Sequence, residues 1–370
     1  MRKIAGIFSC LLLIFLGLSE VHGQDPQLSQ FYAAPQLISP AFAGVQGTSK
    51  INFNHRSQWP NLDANYQYSS VSGDISLGAL SSGIGFYASS DKQFANLETT
   101  SLGLQYAYHI NLNQESSLSL GMEGAYVNRG LNTSNLIFGD QVSNYLNSYD
   151  INIGSGTYGS SKDPVLKNII PNKQYLDLSA GALFSTRNTW VGVSVHHLNA
   201  PNKSFVNSLK DSPTIPPLPY TSEDFLAPKY SLQIGTKIDF ESAYLEENEY
   251  SARNNEKSLS PVLHYKHQGN FDQMDVGAYL TLAPMVFGAW YRGIPIQKSG
   301  VSSARESMVF LVGYRQDSFS IGYSYDMTTS NLGISTGGAH EISIAYLFDW
   351  DMSFKKPFIK WKRTTACPKF

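Results

Sequence analysis

The chain has 370 residues, of which only 15% are charged and 13% are aromatic, and its formal net charge is −2. That balance lacks the basic surface that nucleic-acid binding needs to neutralise phosphates, and the apolar content is too high for a disordered chain. Two cysteines cannot build a disulfide framework. A mean hydropathy of −0.21 argues against a bundle of membrane-spanning helices, but not against a transmembrane β-barrel, whose alternating strands average out in any hydropathy window.

The first element is an address. Arg2 and Lys3 precede an apolar run from Ile7 to Leu18, and Val21-His22-Gly23 places small or modest residues at a cleavage site. The run is short of the ~20 residues that span a bilayer, and Cys10 lies too early for a lipidation site. Residues 1–23 therefore read as a signal peptide for Sec-type export. The next segment, residues 24–46, holds Pro26, Pro35 and Pro40 with Phe31, Tyr32 and Phe42. Three prolines forbid a continuous helix or central strand, and the aromatics demand burial. An irregular segment plugging the barrel or packed under it is expected.

From residue 47 to 350 the chain runs at the strand period. Leu102, Leu104, Tyr106, Tyr108 and Ile110 alternate with small or polar residues; so do Leu232 and Ile234, Ile321 and Tyr323, and Ile342 and Ile344. The polar faces carry few Lys and Glu, which suits a lumen rather than a solvated sandwich face. An all-β fold follows: an antiparallel transmembrane barrel of about fourteen strands, starting near residues 48, 66, 82, 97, 116, 174, 189, 229, 258, 271, 286, 305, 318 and 339. Tight connections such as Arg187-Asn188 and Gln316-Asp317 follow even strands, and long ones such as Gly130–Lys173 and Leu198–Pro228 follow odd strands. This is the outer-membrane pattern of periplasmic turns and extracellular loops. Glu241–Lys257, long on the turn side, and Gln268–Asn270, short on the loop side, depart from it. The alternation also predicts that a charge on the outward face is costly and one on the inward face much less so. Residues 351–370 form a short basic tail, with five Lys and one Arg against one Asp, suited to lipid headgroups or a periplasmic docking strip.

Chemistry is sparse. Gly333-Ile334-Ser335-Thr336-Gly337, with His340 nearby, matches G-x-S-x-G, but that motif needs a strand, a sharp turn and a helix. Here it falls in a Gly/Ser/Thr-rich loop. His196-His197 and the pair His264 and His267 sit at spacings that should point their rings to opposite faces, away from a shared metal. No catalytic, cofactor or metal site is expected, and the chain reads as a non-enzyme.

Several motifs taken together resemble a known family. Asp25-Pro26-Gln27-Leu28-Ser29-Gln30-Phe31-Tyr32, followed by Ser39-Pro40-Ala41-Phe42-Ala43-Gly44, is similar to the N-terminal signature of the PorP/SprF membrane proteins of the type IX secretion system. Arg56-Ser57-Gln58-Trp59-Pro60 resembles the family's first-strand motif, and Phe138-Gly139-Asp140-Gln141 its long-loop motif. Ser324-Tyr325-Asp326 to Ser330-Asn331-Leu332, with Gly337-Gly338-Ala339-His340-Glu341-Ile342, resembles its last hairpin, and Cys367-Pro368-Lys369-Phe370 its C-terminus. The resemblance implies a non-enzymatic outer-membrane barrel in contact with lipids and type IX components. It would support export or surface anchoring of partners such as gliding adhesins, recognised through their C-terminal domains. The motif residues then become candidates for structural or partner contacts. A porin-like channel for a small solute, with residues 24–46 as its plug, is the alternative.

Overall fold

A computed structural model describes residues 25–63, 65–94, 96–132, 170–205, 224–240, 256–293, 305–329 and 334–348. The leader, the basic tail and the motif positions Gly139, Asp140, Asn331, Cys367 and Pro368 lie outside them.

Strands β1 (Ser49–Gln58), β2 (Tyr66–Leu77), β3 (Ser82–Gln93), β4 (Leu97–Asn111), β5 (Ser117–Leu131), β6 (Asn172–Ser185) and β7 (Thr189–His196) form a continuous antiparallel meander. The meander continues through β8 (Lys229–Thr236) with its two-residue extension β9 (Ile238–Asp239), then β10 (Lys257–Gln268), β11 (Phe271–Leu282) and β12 (Met285–Gly293). It ends with β13 (Arg305–Gln316), β14 (Phe319–Thr328) and β15 (Ala339–Phe348). β8 and β9 pair with successive parts of β10, so the fifteen segments make fourteen staves. β15 then pairs with β1 from Ser49 opposite Phe348 to Gln58 opposite Ala339, which closes the barrel. Closure leaves no sheet edge to be satisfied by lipid.

The alternation expected from sequence sets the two faces. Leu104, Tyr106, Ile234, Ile321, Tyr323 and Ile342 lie exposed on the outer surface, whereas Gln105, Ala107, Gln233, Ser320 and Ser343 are buried inside. Most tight connections gather at one end, here the turn end, and most long ones at the other, the loop end; the tight Gln93–Leu97 and Gln268–Phe271 and the long Asp239–Lys257 are exceptions. Glu256 closes the irregular connection at the turn end: it pairs with Arg315 at 2.6 Å and with Lys237 at 3.0 Å, and Lys237 reaches Asp239 at 3.2 Å.

Residues 25–46 run inside this wall. From Leu28 to Gln46 every residue but Leu37 is buried. The prolines shape the path, opening two short 3-10 turns at Pro35–Leu37 and Pro40–Phe42; Ser39 caps the second by accepting from the Ala41 backbone N–H. Below Ala41 the wall is made of glycine, because a Cβ on Gly121 would fall on the Ala41 nitrogen and one on Gly83 on the Ala43 carbonyl. The tolerance expected of the inward face therefore does not extend to wall positions beneath the segment.

Leu104→Arg, at the middle of the outer face, is expected to cost about 2–4 kcal/mol in equilibrium refolding into lipid. Gly121→Val should destabilise as well, by displacing the segment. Unchanged unfolding midpoints for Gly121→Val would contradict the close approach at Ala41.

Candidate functional site

The lumen holds four groups of side chains, each tying the N-terminal segment to the wall. Nearest the loop end of β1, β14 and β15 lies a cluster of ions. Arg56 Nη1 is 2.9 Å from Asp326 Oδ2 and 3.5 Å from Glu341 Oε2; Arg292 Nη1 is also 2.9 Å from Asp326 Oδ2. Arg292 Nε meets Asp275 Oδ1 at 3.1 Å, and Lys266 stands 3.9 Å from the other oxygen of that carboxylate. Three carboxylates thus face three cations. Such a group is tolerable in a low-dielectric interior only when its charges balance and its lone pairs are bonded.

The segment completes that bonding. The Ser29 and Gln30 backbone N–H groups donate to the two Glu341 oxygens at 2.6 and 2.9 Å. Ser29 Oγ donates to Asp326 at 2.6 Å and accepts from Arg56 at 2.6 Å. Gln30 Nε2 donates to the Glu341 carbonyl at 3.0 Å, and Ser343 Oγ donates to Gln30 Oε1 at 2.6 Å. Gln30, Arg56, Asp326 and Glu341, quoted from three separate motifs, meet here.

Below this cluster the segment is aromatic. The Phe31 and Tyr32 rings lie 4.6 Å apart; Tyr32 packs edge-on against Trp190 at 5.7 Å, and Phe31 edge-on against Trp290 at 6.0 Å. Trp190 Nε1 donates to the Tyr32 hydroxyl at 3.2 Å, which satisfies the indole where it is buried. Burying each such ring contributes roughly 1.5–3 kcal/mol. At the turn end Asp74 accepts from Gln36 Nε2 at 2.6 Å and from the Gly44 N–H at 2.7 Å. Gly44 has φ +70°, and its Cα faces Gly83 too closely for a side chain. Phe42 and Pro40 are buried in the same stretch.

At the loop end, Asp25 is the first anchor. Its carboxylate is 2.6 Å from Lys229 Nζ and 2.8 Å from His197 Nε2, and the other ring nitrogen of His197 is 2.7 Å from Asp177. Burial pulls the His197 imidazole down, but Asp25 and Asp177 outweigh it and push its pKa up to about 9. The expectation that His196 and His197 point to opposite faces is corrected here. Both are buried, because the chain leaves β7 at His197 with φ +59°, which turns the second ring inward as well.

The remaining motif residues lie apart. Pro26 is exposed at the mouth of the lumen. Trp59 follows β1, and its N–H donates to the Gly338 carbonyl at 2.7 Å, so the first-strand and last-hairpin motifs clasp each other at the loop end. Tyr325 and His340 are outer-face neighbours with rings 5.1 Å apart, and His340 Nδ1 meets the Tyr323 hydroxyl at 2.8 Å. Ile334–Thr336 is a 3-10 turn whose Ser335 carbonyl accepts from Asn61. Among the described residues there, strand β15 begins at Ala339, so no helix follows the serine. Asp275, Arg292, Asp177, Lys229 and Asp74 carry no motif; their signal is a charge placed on the small, polar face of a strand.

The family described as type IX secretion system membrane protein PorP/SprF matches residues 20–346. No curated protein matches the chain. Among solved structures the chain is similar to the Ralstonia pickettii toluene transporter TbuX, at 9% identity and a TM-score of 0.44, over 85% of this chain and 93% of that one. It is also similar to a Pseudomonas aeruginosa FadL homologue, at 10% identity and a TM-score of 0.39, over 88% and 99%. A third is Acinetobacter baumannii Omp33, at 7% identity and a TM-score of 0.40, over 83% and 100%.

Glu341→Gln removes one charge from the balanced cluster, and breaking a buried pair in this way costs about 3–5 kcal/mol. It should lower the urea midpoint and open residues 25–46 to protease. Retention of full protease resistance would show that the cluster does not hold the segment. The His197 latch has a defined pH window. A raised folded-state pKa contributes stability that is fully present below about 6.5 and lost as pH rises through about 9. Protease resistance of the segment should therefore fall between pH 7 and 9.5, and His197→Gln should abolish that step.

Proposed function

Because the chain belongs to the PorP/SprF family of type IX secretion system membrane proteins, and folds as an outer-membrane β-barrel, we propose that it works without catalysis, holding secreted partners at the cell surface. The observation that carries this reading is the N-terminal segment, buried from Leu28 to Gln46 and tied to the inner wall at both ends of the lumen. A barrel stiffened by its own chain suits a scaffold that presents loops. The connections of residues 130–173 and 198–228, rich in Asn, Ser, Pro and Tyr, supply contact surface at the loop end. Loops of that length usually have a functional reason or are disordered. The partners that fit are the C-terminal domains of type IX substrates, large gliding adhesins among them, together with other components of the secretion system.

A second reading, a channel for a small solute, is favoured by a cavity of ≈ 210 Å³ at the loop end of the lumen. A conduit would require the segment to leave, against four sets of contacts.

Shortening residues 198–228 is expected to release a secreted partner into the medium while the barrel stays folded and inserted. Purified wild-type protein in a planar bilayer should pass little steady current. If the shortened loop leaves every secreted protein in place but abolishes uptake of a small solute, the channel reading replaces the scaffold.

A further inference from the structure

The cavity at the loop end lies above the segment, between Asp25, Leu28 and Phe31 below and the loop-end halves of the strands around it. Its two sides differ. On the side of β8, β10 and β11 the cations are already engaged: Lys229 with Asp25, and Lys266 with Asp275. On the side of β2, β3, β5 and β6 the wall carries Asp91, Glu123 and Asp177 with the phenols of Tyr68, Tyr87 and Tyr175.

Asp177 is already paired with His197, but among the described residues Glu123 and Asp91 are not matched by a cation. Glu123 is buried and accepts from Gln105 Nε2, from the Tyr87 hydroxyl at 3.1 Å and from Ser179 Oγ at 3.2 Å, all neutral donors. Asp91 accepts from Gln93 Nε2 at 2.6 Å. Among the described residues no ion pair includes either of them. Arg129 on β5 acts on Asp91 through space, but donates to the Lys203 carbonyl at 3.3 Å and lies over the Phe205 ring.

A second observation points into the same space. The Asp177 side chain is only 9% exposed; one of its oxygens is bonded to His197, and the other is buried with no hydrogen-bond partner. His264, 3% exposed on the opposite side of the cavity, has both ring nitrogens without a partner. The site thus offers one unfilled Asp177 oxygen, an unbonded imidazole and two carboxylates, Glu123 and Asp91, outside any ion pair among the described residues, and buried polar groups of this kind are normally bonded.

We propose that this vestibule binds one organic cation, the guanidinium or ammonium group of an Arg or Lys side chain presented by a partner polypeptide. Such a group brings several N–H donors on a planar fork or a point charge, which is what carboxylates at separate positions can share. The phenol rings would flank its aliphatic stem and its charge. Among the described residues no three His, Cys, Asp or Glu side chains gather closely enough to hold a metal ion, and the spread of the acids suits a larger cation. The source of the cation rests on the partner-holding reading above.

The test uses the purified full-length protein in detergent, titrated calorimetrically with acetyl-Gly-Arg-Gly-amide and with its citrulline counterpart, which keeps the shape and loses the charge. The arginine peptide is expected to bind about tenfold more tightly or better, the size of one charge-assisted hydrogen bond. Asp177→Asn and Glu123→Gln should each remove most of that preference, in protein whose heat-modifiable gel mobility shows a folded barrel. Should either variant fail to fold, Asp91→Asn supplies the same comparison from the strand next to β4. Equal affinity for the two peptides would overturn the proposal, as would a preference that survives these substitutions. Displacement of the arginine peptide by millimolar magnesium chloride alone would overturn it too, in favour of a metal site. The titration reports on the pocket alone, whereas partner release on loop shortening reports on the scaffold, so either can fail without the other.

Discussion

Everything inside the barrel is organised around the sharing of Asp326 by Arg56 and Arg292, each at 2.9 Å from the same oxygen. Two guanidinium groups from strands on either side of β14 are drawn to one carboxylate, and Glu341 and Asp275 complete the balance. Such a cluster is weak evidence for net stability, because desolvation offsets most of the Coulomb gain. Its use here is selection. The acceptor geometry of Glu341 matches two successive backbone N–H groups, so Ser29 and Gln30 fit in one register only. A slip of one residue would leave a carboxylate oxygen unbonded in a dry interior, at a cost of about 1–3 kcal/mol or more.

Register fixed at one end makes the rest of the segment productive. With Ser29 and Gln30 held, Phe31 and Tyr32 fall between Trp190 and Trp290, and twelve residues after Tyr32, Gly44 reaches Gly83 and Asp74. Polar contacts decide where the segment sits, and apolar burial supplies most of the favourable energy. The loop end is then a rigid frame, with Trp59 bonded to Gly338 across the closing seam of β1 and β15.

Much of this architecture is legible in the sequence, for a physical reason. Lipid on one side and small polar residues on the other force an alternation that survives without any long-range information, so the strand at Asn172 was expected near 174 and that at Ser49 near 48. The ion cluster is different. Arg56 and Glu341 are 285 positions apart and meet only because the barrel closes. Their separate motifs mark them, but nothing local says that they touch. Arg292 and Asp275 belong to no motif. A clue was present in the large aromatics: Trp190 and Trp290 occupy the inward parity of β7 and β12, where a water-filled lumen has no use for an indole. His197 departs from the face that strand parity assigns it because a single positive φ at the end of β7 breaks the alternation.

The threading of the segment has a consequence for how the molecule is made. Its contacts join the first described residues to the last strand, with Ser29 and Glu341 separated by 312 positions, and β15 must pair with β1 before the wall is complete. Residues 28–46 can reach their place only as the sheet curls around them or through an open end of the wall, and the cluster that holds Ser29 and Gln30 exists only once β15 meets β1. Completion of the interior is then coupled to closure of the seam, and both need the last strand. Contacts of such long range are slow to form, and until they do, the first-made part of the chain waits with its aromatics unburied. A chaperone or assembly factor that shields this early stretch would shorten the dangerous interval more than one that acts on any later hairpin.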